Sequence, residues 1–276
     1  MGPMRRFRRA TLVVCAGILL GISLYAGLVK LGLARSLFRP VASGNLELAR
    51  SGRSGVRVLF VGNSLTFKND LPELVHLLGG ARTPIFAGSF TAPGWQLWQF
   101  AGDRGLERLL HDVHWDVVVL QEQSQIPSFP SDDRAREFIP YVERLADEAR
   151  RSGAQPLLFV TWGHRTGDRR NFPGDTYAAM QQRVVDGYRE AAHAASAAVA
   201  PVGVAWAKAL TRRPQVELWA RDGTHPSRAG SYLAACVFYA LLTRRSPVGN
   251  AYTAGLEPAE ARFLQRVARD TARNRY

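Results

Sequence analysis

Cysteine is scarce in this chain: Cys15 and Cys236 are the only two in 276 residues. Cys15 falls in an apolar run and Cys236 in a helical pattern, so they are poor partners and no disulfide framework is expected. Lysine is almost as rare, with Lys30, Lys68 and Lys208 alone, so arginine carries nearly all of the formal net charge of +13. No basic run with interleaved aromatics occurs after residue 40, which argues against a nucleic-acid partner. No Cys, His and Asp cluster has metal-ligand spacing, so neither a metal nor another cofactor is expected. Internal repeats and low-complexity segments are missing too, which excludes a solenoid or an array. Acidic residues are absent from the first 40 positions, where seven basic residues stand, leaving +6 for the rest of the chain.

Those first positions read as a membrane segment. Residues 1–9 form a basic tail ending in Arg5-Arg6-Phe7-Arg8-Arg9, and residues 10–29 carry no charge. About 20 residues at about 1.5 Å each span about 30 Å, the thickness of a bilayer core. A cleaved signal has an apolar region of about 7–15 residues, so an uncleaved, single-pass anchor is the favoured reading. Export with cleavage near Gly32-Leu33-Ala34 is the alternative. The arginines before the span put the amino terminus in the cytoplasm and the remainder outside it. Residues 30–54, with Pro40 and several Gly and Ser, read as a linker with a short helix near Leu46. A domain over residues 55–276 follows, and 46% hydrophobic residues overall can supply its core.

The domain opens on Val56-Arg57-Val58-Leu59-Phe60-Val61, a short β-branched and aromatic run that reads as a buried strand. Gly62-Asn63 breaks it, Ser64 follows, and a helical pattern starts near Leu71. A serine is thus presented at the carboxyl end of a strand and before a helix, where open α/β sheets bind ligands. Taken alone, the pattern fits a capped strand-to-helix turn equally well. Far downstream stands Asp222-Gly223-Thr224-His225-Pro226-Ser227. Its spacing lets the carboxylate reach one imidazole nitrogen while the other faces outward, which is what a serine nucleophile needs from its base. Pro226 fits the first turn of a helix that would continue through residues 229–242.

Further strands are expected at 84–90, 115–120, 157–161 and 202–206. Helices are expected at 71–78, 96–111, 133–151 (interrupted near Pro140), 176–199 and 258–273. Strand and helix alternate with short connections, which predicts a mainly parallel sheet between helical layers.

Three blocks resemble the SGNH (GDSL-like) hydrolases: Gly62-Asn63-Ser64, the Asp222–His225 turn, and a branch-specific middle stretch, Val118-Val119-Leu120-Gln121-Glu122-Gln123-Ser124. Gly230-Ser231-Tyr232-Leu233-Ala234-Ala235 adds a fourth match, and the likeness covers residues 55–270 or so. It implies a three-layer α/β/α sandwich with a flavodoxin-like sheet, Ser64 as nucleophile, His225 as base and Asp222 as its partner. It also implies an oxyanion hole from the backbone N–H groups of Ser64 and Gly94. The family's asparagine after the third strand is absent. Gln123 stands at the matching offset and a glutamine amide can donate the same bond, with Gln121 as second candidate. Trp95, Trp162 and His164 lie at or just past strand ends and are candidates for substrate contact, although such aromatics are more often core. The expectation is a serine esterase acting on a short acyl ester of a small molecule or an envelope glycan. An acyltransferase with the same triad and a non-catalytic binding domain are the rivals.

Overall fold

The computed structural model describes residues 39–273. The expected basic tail and membrane segment, residues 1–29, lie outside them. Among the described residues no helix is long and apolar enough to cross a membrane.

Among the described residues six strands form one sheet in the order β1-β3-β2-β4-β5-β6. They are β1 (Val41–Gly44), β2 (Val56–Gly62), β3 (Ile85–Thr91), β4 (Val117–Leu120), β5 (Gln155–Phe159) and β6 (Ala198–Ala200). All neighbouring pairs are parallel except β1 with β3, where Val41 stands opposite Thr91. Leaving out β1, the five parallel strands run second-first-third-fourth-fifth, the flavodoxin-like order. The chain order reverses at β2, so a crevice opens between the carboxyl ends of β2 and β4.

Alternation along β2 explains the two layers. Val58 and Phe60 face one apolar cluster, Leu59 and Val61 the other, and all four are fully buried. The first cluster holds α3 (Leu71–Gly79), α9 (Val202–Arg212), α10 (Arg228–Thr243) and α11 (Pro258–Ala272). The second holds α1 (Leu46–Arg50), α5 (Arg104–Asp112), α7 (Ile139–Arg151) and α8 (Tyr177–Ala194). Short helices α2 (Ser64–Phe67), α4 (Leu97–Phe100) and α6 (Ser131–Glu137) complete the set.

Several expectations need correction. The short helix expected near Leu46 is α1, but the stretch read as linker also contributes β1, whose residues from Val41 are built into the sheet edge. The helix expected over 96–111 is two, because Gly102 turns through φ +83° and Asp103 caps a new start by accepting from Gly105 N and Leu106 N. The strand expected at 202–206 is helix α9, and the true strand β6 lies just before it. A short apolar run reads alike as strand or buried helix. Pro226 precedes α10 rather than opening it: Ser227 caps the helix through its hydroxyl, which accepts from Gly230 N. In α6 and α7 the interruption falls at Phe138, with Pro140 tolerated in the first turn of α7.

Candidate active site

Gly62 ends β2, and its bareness has a steric cause. A Cβ there would stand 2.4 Å from Gln121 Oε1 and 2.8 Å from Thr66 Oγ1. That space is used by a buried ring of hydrogen bonds. Asn63 N donates to Gln121 Oε1 at 2.9 Å, and Gln121 Nε2 returns a bond to Asn63 Oδ1 at 3.0 Å. Thr66 Oγ1 also donates to Gln121 Oε1, and Leu65 N to Asn63 Oδ1. Asn63 Nδ2 reaches sideways to Trp95 O at 2.8 Å. Asn63, Thr66 and Gln121 are all buried. Ser64 is therefore the first residue of a helical turn whose cap, Asn63, is clamped to the neighbouring strand. At that position its N–H is not used within the helix and is available to an anion.

Trp95 N bonds to Ala92 O with Pro93 and Gly94 between them, and Gly94 has φ +67°. This is a type II turn, in which the second central position favours glycine. The turn's own hydrogen bond does not engage Gly94 N, and the Asn63–Trp95 bond keeps the turn beside the Ser64 segment.

The opposing side is a loop. Ala220 N donates to His225 O and Ser227 N to Leu218 O, both at 2.8 Å, which folds residues 218–227 back on themselves. Within the loop, Asp222 Oδ1 accepts from Thr224 N and His225 N at 2.9 Å each. Asp222 Oδ2 lies 2.7 Å from His225 Nδ1, and His225 Nε2 lies 2.8 Å from Ser64 Oγ. A carboxylate only accepts, so Nδ1 carries the proton and Nε2 is left to accept from the Ser64 hydroxyl. Partial burial pushes the Asp222 carboxyl up. The Thr224 and His225 N–H groups and the His225 ring outweigh it and hold the group at about 2. The side chain is 52% exposed, so hydrogen bonding rather than enclosure orients it.

Two seams align the halves. Asn69, in the left-handed conformation at φ 55°, aims one amide nitrogen at Pro226 O, Ser227 O and Ser231 Oγ, at 3.0–3.1 Å. The loop after β5 supplies the second: Trp162 Nε1 donates to Thr224 O, Arg165 N to Gly223 O, and Trp219 Nε1 to Gly163 O.

The remaining candidates divide. Trp95 is 6% exposed and packs on Phe100 at 5.0 Å between ring centres. Trp162 is 1% exposed and stacks on Trp206 at 4.0 Å. Both are core, and their expected place against substrate is corrected accordingly. Gln121 is fully buried in the ring described above, which removes it from substrate contact. Gln123, expected as an oxyanion donor, folds onto its own loop: its Nε2 donates to Gln125 Oε1 and its Oε1 accepts from Gln125 N. The loop curls immediately after β4, so the extended spacing that suggested Gln123 does not continue. His164 is half-buried and stands 2.8 Å from Ser124 Oγ through Nε2, a pairing that the sequence reading missed. The adjacent Gln121-Glu122-Gln123-Ser124 block was its visible signal. Among the described residues no group of His, Cys, Asp and Glu could hold a metal. An open groove of about 810 Å³ lies between the carboxyl ends of α3 and α10, by Leu77, Arg82, Arg245 and Val248. It sits at the amino end of β3, away from Ser64.

Glu122 is fully buried and accepts from Leu97 N and Gln123 N, tying the loops after β3 and β4 together. Burial pushes its carboxyl from 4.5 up to about 8, against the pull of those N–H groups.

Comparison with known proteins gives a clear likeness in structure. Neither a protein-family model nor a curated protein matches the chain. Among solved structures, a candidate SGNH hydrolase from Slackia heliotrinireducens is 30% identical, with a TM-score of 0.55. The match covers 67% of this chain and 98% of that one. A DUF4886 family protein from Bacteroides uniformis is 22% identical, covers 79% of this chain and 95% of its own, and has a TM-score of 0.67. The second likeness speaks for the fold alone.

Two outcomes follow from this geometry. Asn69→Ala frees the Ser64 segment from the Asp222–His225 loop, and a misplacement of about 1 Å can cost about a hundredfold. Labelling of Ser64 by a fluorophosphonate is expected to slow about 10- to 100-fold; an unchanged rate would remove Asn69 from that role. For Glu122, the folded chain keeps a proton that the unfolded chain releases near its ordinary value of 4.5, so stability falls as pH rises from there through about 8. Glu122→Gln mimics the protonated form and is expected to flatten that decline. Melting temperatures of both proteins from pH 5 to 8.5 would show the gap widening with pH, and a constant gap would refute it.

Proposed function

The chain belongs to the SGNH hydrolase family, and on that premise we propose that it is a serine esterase with Ser64, His225 and Asp222 as its triad. The observation that carries the reading is the continuous hydrogen-bonded chain from Asp222 through His225 to Ser64, at 2.7 and 2.8 Å, at the carboxyl end of β2.

In the first half-reaction Ser64 Oγ attacks the ester carbonyl while His225 Nε2 takes its proton. The imidazolium is stabilised across Nδ1–H by Asp222, which stays ionised. The backbone N–H groups of Ser64 and Gly94 face the oxygen as its charge develops. Collapse of the tetrahedral intermediate breaks the C–O bond to the alcohol, which leaves with the proton from His225. Water, deprotonated by the same imidazole, then releases the acid and restores Ser64. The open, partly exposed setting of the triad suits an ester presented on a larger body, and a short acyl group on an envelope glycan is the substrate class proposed. The uncharged run at residues 10–29 supports a membrane-held domain outside the cytoplasm.

Ser64→Ala is expected to lower hydrolysis of p-nitrophenyl acetate by about four to six orders of magnitude and to abolish fluorophosphonate labelling. Asp222→Asn, which leaves the imidazole in the wrong tautomer, costs about four orders or somewhat less. Retention of more than about a tenth of wild-type turnover by Ser64→Ala would end the assignment. For location, protease added to spheroplasts of an expressing bacterium is expected to digest the domain, and protection until lysis would contradict it.

A further inference from the structure

The oxyanion side of this site is short of a side-chain donor. Both glutamines that the sequence offers are engaged: Gln121 Nε2 on Asn63 Oδ1 and Glu122 O, Gln123 Nε2 on Gln125 Oε1. We propose that Ser124, held by His164, is the third hydrogen-bond donor to the oxyanion, an inference that rests on the serine-esterase reading above.

Placement comes first. Val61 stands opposite Leu120 in the parallel β2–β4 pair, so the loops bearing Ser64 and Ser124 leave the sheet side by side. The Asn63–Gln121 ring keeps them together at their roots. Ser124 comes three residues after Gln121 and is 6% exposed. Its hydroxyl lies 2.8 Å from His164 Nε2. His164 in turn is near enough to His225 and Asp222 for their charges to act on it, and its loop is bonded to theirs through Arg165 N and Gly223 O. Ser124 therefore lies on the loop that leaves the sheet next to the Ser64 segment, and it is bonded to His164, whose own loop is bonded to the Asp222–His225 loop.

The chemistry of the pair agrees. Burial lowers the His164 pKa and so favours the neutral ring. In the tautomer that carries its proton on Nε2, which the proposal requires, the ring donates to Ser124 Oγ and leaves the hydroxyl hydrogen free for another acceptor. A hydroxyl that accepts one bond while donating another is a strengthened donor. As Ser64 Oγ attacks, negative charge gathers on the carbonyl oxygen, and the Ser124 hydroxyl donates to it alongside Ser64 N–H and Gly94 N–H. Ser124 makes and breaks no covalent bond. His164 is a positioning residue and transfers no proton.

The test uses the full chain, reading turnover of p-nitrophenyl acetate and the rate of Ser64 phosphonylation by a fluorophosphonate. Ser124→Ala is expected to lower kcat about a hundredfold with KM within about threefold, as for loss of one oxyanion donor. Phosphonylation slows in parallel. Ser124→Thr, which keeps the hydroxyl, retains most of the activity. Ser124→Cys fills the same space with a poor donor and falls with alanine, so it reads the same quantity if Ser124→Ala is unstable. His164→Gln, with a neutral N–H near the same place, loses less than His164→Ala. Turnover by Ser124→Ala within about threefold of wild type, a loss confined to KM, or an equal loss in Ser124→Thr would each overturn the proposal. A wild-type chain that is not labelled at Ser64 would instead overturn the serine-esterase reading, and this inference with it.

Discussion

Everything at this site depends on keeping the ends of β2 and β4 in register past the point where the sheet stops. The reciprocal amide bonds between Asn63 and Gln121 do this, extending the ladder by one side-chain rung. The rung has a steric condition, a bare Gly62, and an accessory, the Thr66 hydroxyl. Because the ring is buried, each polar atom in it needs its partner. Losing one would leave another unsatisfied at a cost of about 1–3 kcal/mol. The Gly-Asn-Ser triplet thus combines three distinct demands: clearance, a cap that reaches two strands, and a serine hydroxyl placed at the strand end.

The base side is built on other terms. Residues 218–227 have a single isolated bridge, Trp219 with Pro226, and depend on backbone bonds within the loop and on donors from outside it. Trp162 and Trp219 serve there as polar struts as well as core, each burying its ring and donating its indole N–H to a loop carbonyl. A serine and a histidine 161 positions apart meet at 2.8 Å because a rigid sheet end and a strutted loop are joined by Asn69.

Much of this was legible in the sequence. Alternation and length gave the parallel core, and the strand-end serine with its distant Asp-x-x-His gave the triad candidates. The errors share a cause: sequence shows residue type but not where a side chain's bonds end. Gln121, Gln123, Trp95 and Trp162 were all read toward the ligand because they are polar or amphipathic and lie at strand ends. In the fold, three of the four are framework, and Gln123 is turned back by the curl of its own loop. The exchange of strand for helix at Val202–Arg212 has a similar origin, since a short apolar stretch fits either element and the choice is made by packing. Here the first turn of the helix is packed tightly against the end of β5: Gly203 N donates to Val160 O, and a Cβ on Gly203 would clash with Thr161 O.

Burial of Glu122 follows from the same architecture. The loops after β3 and β4 must approach closely if the Gly94 turn is to sit beside Ser64, and each brings a backbone N–H that no strand satisfies. One carboxyl group accepting from Leu97 N and Gln123 N answers both. A carboxylate at that place would oppose charge developing on a nearby oxyanion, whereas a protonated carboxyl would not. Burial raises the group to about 8, so near neutral pH it bridges the loops largely without its charge. The framework that joins these loops therefore adds little negative potential beside the Ser64 segment near neutral pH.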